Sequence, residues 1–288
     1  MQIIDFGAIG EYTLALLPYV PITLAISVFA TLLGTVIGLA MALIKMARVP
    51  VLSQVTAVLV SYLRGTPILV QLLLNVNAVP IAILYLNHQF GTEFSPVALS
   101  PFLVAGLTFA LNEAAYSSES IRAALSAVDR REIEAAQSLG MTPWQTLRRI
   151  TIPVASVIAF PTLVNHFIGM LKQSSLAFVV SLVEVTAYAK IIGGRDYRFF
   201  EAFLATAIIY WGLTVLVEQI ARIVERRLQR PPVGSRRGSR GPSAQGPVSG
   251  PDSGSASQRQ PSSESEIADR VGSHLDDQLR FSRGVSAA

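Results

Sequence analysis

The chain alternates between long stretches of apolar residues and shorter polar segments. No Asp, Glu, Lys or Arg occurs within residues 12–44, 65–92 or 150–171. A hydrocarbon core roughly 30 Å thick is crossed by about 20 apolar residues in helical conformation. Uncharged stretches of this length therefore predict helices that span a membrane.

The apolar stretches predict five main spans. These spans cover residues 16–44, 51–86, 97–117, 154–172 and 203–224. A polar stretch at 119–153 separates the third span from the fourth, and a short apolar stretch at 176–183 follows the fourth. The sequence thus predicts an all-α membrane protein with five core transmembrane helices.

Polar residues interrupt two of these spans. Arg64, Gly65, Thr66 and Pro67 interrupt the second span, where glycine and proline disfavour a continuous helix. A Lys-Gln-Ser-Ser sequence at 172–175 ends the fourth span. Backbone groups that are freed at membrane depth are tolerated only against protein or a water-filled cavity. We therefore expect both breaks to face away from lipid.

The distribution of basic residues predicts the orientation of the chain. The segments 1–11 and 87–100 contain no Lys or Arg, and the loop with Lys190, Arg195 and Arg198 is the one exception on that side. The other side collects a basic cluster after the fifth span together with Lys45, Arg48, Arg122, Arg130, Arg131, Arg148 and Arg149. We expect a multi-pass protein of the cell membrane with its N-terminus outside and its C-terminus in the cytoplasm.

The composition changes abruptly after residue 230 to Ser, Gly, Pro, Gln and Arg. Such a segment has too few apolar residues to form a packed core. The sequence therefore predicts two regions, a transmembrane domain at 1–230 and a disordered cytoplasmic tail at 231–288.

The overall composition excludes several classes of site. Hydrophobic residues make up 51% of the 288 residues and charged residues only 15%, against about a quarter in soluble proteins. The absence of cysteine rules out disulfides and thiolate chemistry, and His88, His166 and His274 are too scattered for a metal site. The net charge of +4 comes largely from Arg that flanks apolar segments. We expect a lipid bilayer rather than nucleic acid as the partner.

The polar stretch at 129–153 has the pattern of two short helices joined by a tight corner. Asp129 is suited to cap the first helix, and Gly140 is suited to the left-handed conformation that ends it. Thr142, Pro143 and Gln145 then form the pattern of a capping box. The first helix would present a small apolar face to a partner through Ala135, Ala136 and Leu139. The alternative is that this segment is only a well-capped loop between helices.

The same stretch resembles the EAA loop of the permease subunits of ATP-binding-cassette (ABC) importers. The resemblance rests on Glu134-Ala135-Ala136, on Gly140 four residues later and on Ile-Thr-Ile-Pro at 150–153. The motifs at 64–67 with Gln71, at 116–122 and at 172–176 resemble polar amino acid permeases of the histidine, glutamine, arginine and cystine type. The resemblance covers about residues 12–228.

The resemblance implies partners. In this family two permease copies or paralogues form a dimeric membrane core, two ATPase subunits seat the EAA loops as coupling helices, and an extracytoplasmic binding protein delivers the substrate. The residues that would contact the ATPase are Glu134, Ala135, Ala136, Leu139, Gly140, Arg148 and Pro153.

The positions of the lysines indicate that ATP is hydrolysed by a partner subunit. A P-loop needs a Gly-Lys pair, whereas the only lysines, Lys45, Lys172 and Lys190, follow Ile, Leu and Ala. The chain is therefore expected to be a transport subunit rather than an enzyme. It would bind no cofactor itself, and ATP with magnesium would bind to the partner ATPase.

Polar residues within the spans are candidates for the substrate path. A charge at mid-bilayer costs roughly 2.5–3.5 kcal/mol on the insertion scale, so such residues should face protein or water. Helix packing and internal hydrogen bonding are the competing explanation. The candidates are Arg64, Thr66, Pro67, Asn112, Glu113, Pro161, Asn165, Lys172 and Ser175.

The sequence thus predicts the permease subunit of an ABC importer for an amino acid. Residues 175–178, 197–201 and 210–211 are most similar to cystine-type members, which implies cystine or a related polar amino acid. The alternative function is a stand-alone channel or a secondary amino acid carrier. It would account for the polar breaks but not for the EAA loop.

The predicted orientation can be tested by labelling single cysteines, because the chain has none of its own. A cysteine at Glu93 should react with an impermeant reagent in sealed cells. Cysteines at Gln137 and Ser255 should react only after the membrane is opened. Labelling of position 255 from outside would contradict the five-span orientation.

Overall fold

The computed structural model describes residues 5–95 and 99–228, and these residues contain helices and no strand. The prediction of an all-α membrane protein is thereby confirmed. The predicted tail at 231–288 and the predicted start of the third span at residue 97 lie outside the described residues.

The described residues form ten α-helices, joined in three places by short 3₁₀ or π segments. The 3₁₀ segments are Leu17–Tyr19 and Ser174–Val180, and a π-helical turn covers Leu147–Thr151. The α-helices are α1 (Phe6–Leu16), α2 (Val20–Ala47), α3 (Leu52–Gly65), α4 (Ile68–Phe90), α5 (Pro101–Ser126), α6 (Arg130–Ser138), α7 (Pro143–Thr146), α8 (Ile152–Gln173), α9 (Val185–Asp196) and α10 (Phe199–Leu228).

Four helical segments in the described part of the chain are long and apolar enough to cross a membrane. They are Phe6–Ala47, Ile68–Phe90, Pro143–Val180 and Phe199–Arg227. The third predicted span corresponds to α5, which carries Glu113, Glu119 and Arg122 and is less apolar. Its 26 residues extend over about 39 Å, which exceeds the thickness of a hydrocarbon core. The count of five spans stays a prediction.

Helix α1 differs from the prediction, which began the first span at residue 16. Asp5 caps α1, since its side chain accepts hydrogen bonds from the amides of Gly7 and Ala8 at 3.0 and 3.2 Å. Helix α1 packs on α9 and α10, and its buried residues there include Ile9, Tyr12 and Leu16. The sequence pattern missed α1 because it is short and contains two glycines and Glu11.

One ion pair and one hydrogen bond join the N-terminal end of the chain to the turn between α9 and α10. Arg198 lies 2.8 Å from Asp5, and Tyr12 donates a hydrogen bond of 2.9 Å to Asp196, which also pairs with Arg195 at 2.8 Å. The amide of Ala8 and the guanidinium of Arg198 lower the pKa of Asp5. The loop with Lys190, Arg195 and Arg198 departs from the predicted asymmetry of basic residues. Two of its three cations, Arg195 and Arg198, thus pair with carboxylates.

Helices α2 and α5 pack closely along much of their length. Gly34 and Gly38 of α2 face α5, and a Cβ at Gly34 would lie 2.7 Å from the carbonyl oxygen of Ala110 and 2.7 Å from Cβ of Glu113. Small residues spaced four apart allow membrane helices to approach at backbone distance. Helices α2 and α5 therefore form a tightly packed pair.

This close approach predicts the effect of Gly38→Ala. The added Cβ would overlap Ser117 Oγ and lie 2.9 Å from the carbonyl oxygen of Ala114, so the two helices must separate. We expect a loss of about 1–3 kcal/mol in stability, measured as a lower Tm of the purified protein in detergent.

The matched control is Gly169→Ala in α8, where an added Cβ meets nothing within 4 Å. Alanine favours helix over glycine by roughly 0.5–1 kcal/mol, so the Tm of this variant should be unchanged or higher. Equal Tm values for the two variants would contradict the close packing of α2 on α5.

Candidate functional site

The predicted break in the second span lies between α3 and α4, at Thr66 and Pro67. In a continuous helix the amide of residue 67 would donate to the carbonyl of Leu63, but proline has no N–H. Gln71 Nε2 and Asn112 Nδ2 donate to this carbonyl instead, at 2.8 and 3.1 Å. The break is therefore stabilised by side chains of α4 and α5.

Gln71 stabilises the break through further hydrogen bonds. Its Nε2 also lies 3.1 Å from the carbonyl oxygen and 2.8 Å from the hydroxyl oxygen of Thr66. Its Oε1 accepts from Asn112 Nδ2 at 3.2 Å. Gln71 and Asn112 are both buried. The shelter that the sequence required at this position is thus provided by two amide side chains.

A polar cavity of about 430 Å³ opens beside the break. Four of the predicted path residues contribute to it, together with two polar residues that the prediction missed, Tyr116 and Gln173. The lining consists of Arg64, Gly65, Thr66, Pro67, Ile68, Asn112, Tyr116 and Gln173.

A second polar cavity, of about 480 Å³, shares Arg64, Gly65 and Tyr116 with the first. Its lining also includes Lys45 and Glu119, which form an ion pair with each other. The guanidinium carbon of Arg64 lies 5.4 Å from the centre of the Tyr116 ring. Arg64 therefore stands where the two cavities meet.

Charge compensation differs between the two cations of these cavities. Glu119 pairs with Lys45 and also with Arg122, at 2.8 Å. No carboxylate among the described residues lies within ion-pairing distance of Arg64. The arginine thus offers planar hydrogen-bond donors and an uncompensated positive charge to an anionic group.

The other predicted path residues lie apart from these cavities. Glu113 is buried and contacts His166, while Pro161 and Asn165 line a separate cavity of about 270 Å³ between α8 and α10. Lys172 is exposed, and Ser175 donates to the carbonyl of Lys172 at 2.7 Å. Five of the nine candidates therefore do not line the two cavities beside the break, because the helical phase of α5 and α8 turns these side chains in different directions. Their role in a substrate path stays a prediction.

The corner between α6 and α7 has the predicted local geometry. Asp129 accepts from the amide of Arg131 at 2.9 Å. Gly140 has a φ of +83°, its amide donates to Gln137, and the next amide donates to Ala136. These are the two hydrogen bonds of a Schellman motif, which requires a left-handed residue.

The following capping box also agrees with the sequence. Thr142 Oγ1 accepts from the amide of Gln145 at 3.3 Å, and Gln145 Oε1 accepts from the amide of Thr142 at 3.0 Å. Pro143 occupies the first turn of the helix. The corner is therefore fixed by paired backbone and side-chain hydrogen bonds on both of its sides.

The exposed surface of the corner differs from the predicted face. Ala135 and Leu139 are exposed, Leu139 by 86%. Ala136 is only 3% exposed, so it belongs to the packing of this chain and not to its surface. Trp144, which the prediction missed, is 66% exposed. The exposed apolar residues of the corner are thus Ala135, Leu139 and Trp144, and of the predicted face only Ala136 is missing. The charged Glu134 and Arg148 are exposed as well.

The second helix of the corner is not short. Helix α7 continues through the π turn into α8, so that Pro143–Val180 is one helical segment. The amide of Ile152 bonds to the carbonyl of Leu147, five residues earlier. Pro153, which has no N–H and whose ring would clash with the carbonyl four residues before it in an α-helix, directly follows this wider turn.

Comparison with known proteins identifies the family. The description "Binding-protein-dependent transport system inner membrane component" applies to residues 34–230. The chain belongs to this family. A probable amino-acid ABC transporter permease protein of Vibrio harveyi, PatM, is 36% identical over 78% of the chain and 97% of its own length. The L-cystine transport system permease protein TcyL of Bacillus subtilis is 35% identical over 78% of the chain and 92% of its own length.

Solved structures agree with this assignment. A crystal structure of an amino acid ABC transporter with histidines has 35% identity and a TM-score of 0.66, over 78% of the chain and 99% of that chain. The MetNI methionine ABC transporter, in inward-facing conformations, has 18% identity and a TM-score of 0.60, over 75% and 96%. The latter shows the fold alone. The resemblance to ABC importer permeases is confirmed, and this family disfavours the stand-alone channel or carrier.

Among the described residues no group of three or more His, Asp or Glu side chains is close enough to hold a metal ion. The polar groups of the two joined cavities are arginine, amide, hydroxyl and phenol groups together with the Lys45–Glu119 pair. Such groups bind and orient a polar solute through hydrogen bonds and charge.

Proposed function

We propose that this permease carries a polar amino acid into the cytoplasm through the cavities at the break between α3 and α4. An extracytoplasmic binding protein delivers the amino acid, and partner ATPases drive the movement through the corner at Gly140. The chain is the membrane permease subunit of an ABC importer for amino acids. The N-terminus is outside, the C-terminus is cytoplasmic, and a second copy or a paralogue completes the membrane core.

The exposed apolar corner is the observation that supports ATPase docking most directly. Leu139 and Trp144 are large apolar side chains at a corner that is rigidly capped on both sides. Aromatic and aliphatic side chains that project from rigid elements are the usual anchors of a protein interface. The basic residues around the corner indicate a cytoplasmic position, where ATP is available.

Arg64 supports the assignment of the cavities to an amino acid substrate. Every free amino acid carries an α-carboxylate, and an arginine side chain binds a carboxylate through parallel N–H donors. Asn112, Gln173 and Thr66 surround the same space with donors and acceptors for the remaining polar groups. The relative TcyL is named for L-cystine transport, and we extend this class of substrate, a polar amino acid, to the present chain.

The coupling role predicts the effect of Gly140→Val. The φ of +83° is costly for a β-branched residue, by about 1–2 kcal/mol, whereas a Cβ at this position would meet nothing within 4 Å. Backbone strain alone should therefore distort the corner. We expect a loss of at least fivefold in the amount of ATPase subunit that co-purifies with the permease, and a similar loss of uptake in reconstituted vesicles.

The matched control is Gly91→Val at the end of α4. Gly91 also has a positive φ, +63°, and open space around its Cβ position. This variant carries similar backbone strain in a different loop, so its ATPase subunit should be retained. Retention of the ATPase at the wild-type level by an inserted Gly140→Val chain would contradict the coupling role of the corner.

The substrate role predicts the effect of Arg64→Met at saturating binding protein. A hydrogen bond to a charged group contributes about 1.5–3 kcal/mol, so maximal uptake should fall by roughly 10- to 100-fold. Arg64→Lys keeps the charge and should retain more uptake than the Met variant. The control is Arg195→Met at the corner of α9, far along the chain from both cavities. Wild-type uptake by Arg64→Met would contradict binding of the carboxylate by Arg64.

A further inference from the structure

Glu113 and His166 form a buried polar contact between α5 and α8. His166 Nδ1 lies 2.9 Å from Glu113 Oε1, and the side chains are exposed by 18% and 6%. The contact is not part of either polar cavity beside the break. A polar pair inside a membrane protein is stable only when its hydrogen-bonding groups are satisfied by each other or by water.

The hydrogen-bonding pattern fixes the ring of His166. Nδ1 and the Glu113 carboxyl share one hydrogen bond of 2.9 Å. Nε2 lies 3.3 Å from the hydroxyl of Ser120, which can donate or accept. Glu113 and Ser120 are both on α5, so the imidazole of α8 is held at two points along its partner helix.

His166 belongs to the helical segment that begins at the cytoplasmic corner. The chain is helical without interruption from Pro143, next to the exposed Trp144, to Gln173 in the substrate cavity. At 1.5 Å per residue this distance is roughly 45 Å. Pro161 lies inside α8, and the helix continues past it, so the corner and the level of the cavity are joined by one helical segment.

Glu113 belongs to the part of the chain that shapes the cavity. The preceding residue, Asn112, holds the carbonyl of Leu63 at the break and lines the cavity. The Cβ and Cγ of Glu113 also pack where Gly34 of α2 leaves space. Glu113 is thus attached to the paired α2 and α5 and lies next to the residue that holds the break.

We propose that Glu113 and His166 are positioning residues that couple the corner-bearing helix α8 to the cavity-forming helix α5 during transport. This inference rests on the proposed function. When the corner moves, the hydrogen bond pulls Asn112 and the break along with α8. Substrate release then follows each ATPase cycle.

Apolar packing alone would not fix the position of α8 along α5. The other described contacts between the two helices include Ala155 and Ala159 of α8 against Ile121 and Ala124 of α5. Small apolar surfaces slide past each other with little change in buried area, whereas a hydrogen bond between polar groups in a low-dielectric interior is lost when its partners move apart. The Glu113–His166 contact therefore fixes the position of α8 along α5, so that the two helices move together.

The test uses the whole importer in reconstituted vesicles and compares uptake with the ATP hydrolysed in the same sample. Glu113→Ala and His166→Leu remove the hydrogen bond, and we expect each to lower the uptake per ATP at least fivefold. The double variant should be no worse than either single variant, because all three lack the same contact. A merely structural role would lower uptake and hydrolysis in the same proportion.

Two conservative variants separate the hydrogen bond from other effects. Glu113→Gln keeps an oxygen that accepts from His166, and His166→Asn keeps an N–H near the position of Nδ1. Both should restore the uptake per ATP to within about twofold of the wild type. If Glu113→Ala fails to insert, the comparison of His166→Leu with His166→Asn decides the question alone.

The control removes a different hydrogen bond between helices. Asn75 Nδ2 of α4 donates to Thr108 Oγ1 of α5 at 2.9 Å, without involving α8. Asn75→Ala should keep the wild-type uptake per ATP. The proposal is overturned if Glu113→Ala or His166→Leu keeps the wild-type ratio, or if Glu113→Gln loses as much as Glu113→Ala. Failure of the proposed function would look different, since the wild-type importer would then show no ATP-dependent uptake.

Discussion

A missing backbone N–H at Pro67 is the constraint on which the break and the polar cavity beside it depend. It leaves the carbonyl of Leu63 without its helical partner inside a predicted span, where lipid offers no hydrogen-bond donor. Gln71 and Asn112 satisfy this carbonyl. Because these amides come from α4 and α5, the break cannot form unless both helices are in place. Asn112 both satisfies this carbonyl and lines the polar cavity, and Gln71 satisfies the same carbonyl.

The polar character of α5 follows from the same constraint. A helix that supplies Asn112, Glu113 and Ser117 to the interior cannot be as apolar as a helix that faces lipid. It is tolerated because α2 shields it at backbone distance through Gly34 and Gly38. This explains why α5 is less apolar than the four other segments and yet is among the most enclosed helices. The uncharged length of a segment is therefore a poor measure of how central it is.

Much of this architecture could be predicted from the sequence where the signal is local. The break at Pro67, the left-handed Gly140 and the capping box at Thr142 each depend on residues within a few positions. The signal fails where it depends on distant packing. Helix α6 packs Ile133 against the cluster that includes Ala42 and Ala155, and its Ala136 is buried. Helix α1 is stabilised by contacts almost two hundred residues away. The path residues of α8 diverge because helical phase separates Asn165 from Gln173, which no local pattern reveals.

The π turn before Pro153 keeps the helix continuous between the corner and the cavity. A proline in an α-helix removes one hydrogen bond and introduces a kink at which the two halves bend independently. Here the wider π turn directly precedes Pro153 and accommodates it, and the helix continues from Trp144 to Gln173. The helix also continues past Pro161, so Trp144, His166 and Gln173 belong to one helical segment. In the coupling proposed above, continuity through Leu147–Thr151 is required for a movement of the corner to reach His166, and the register of α8 depends on the extra residue that this turn contains.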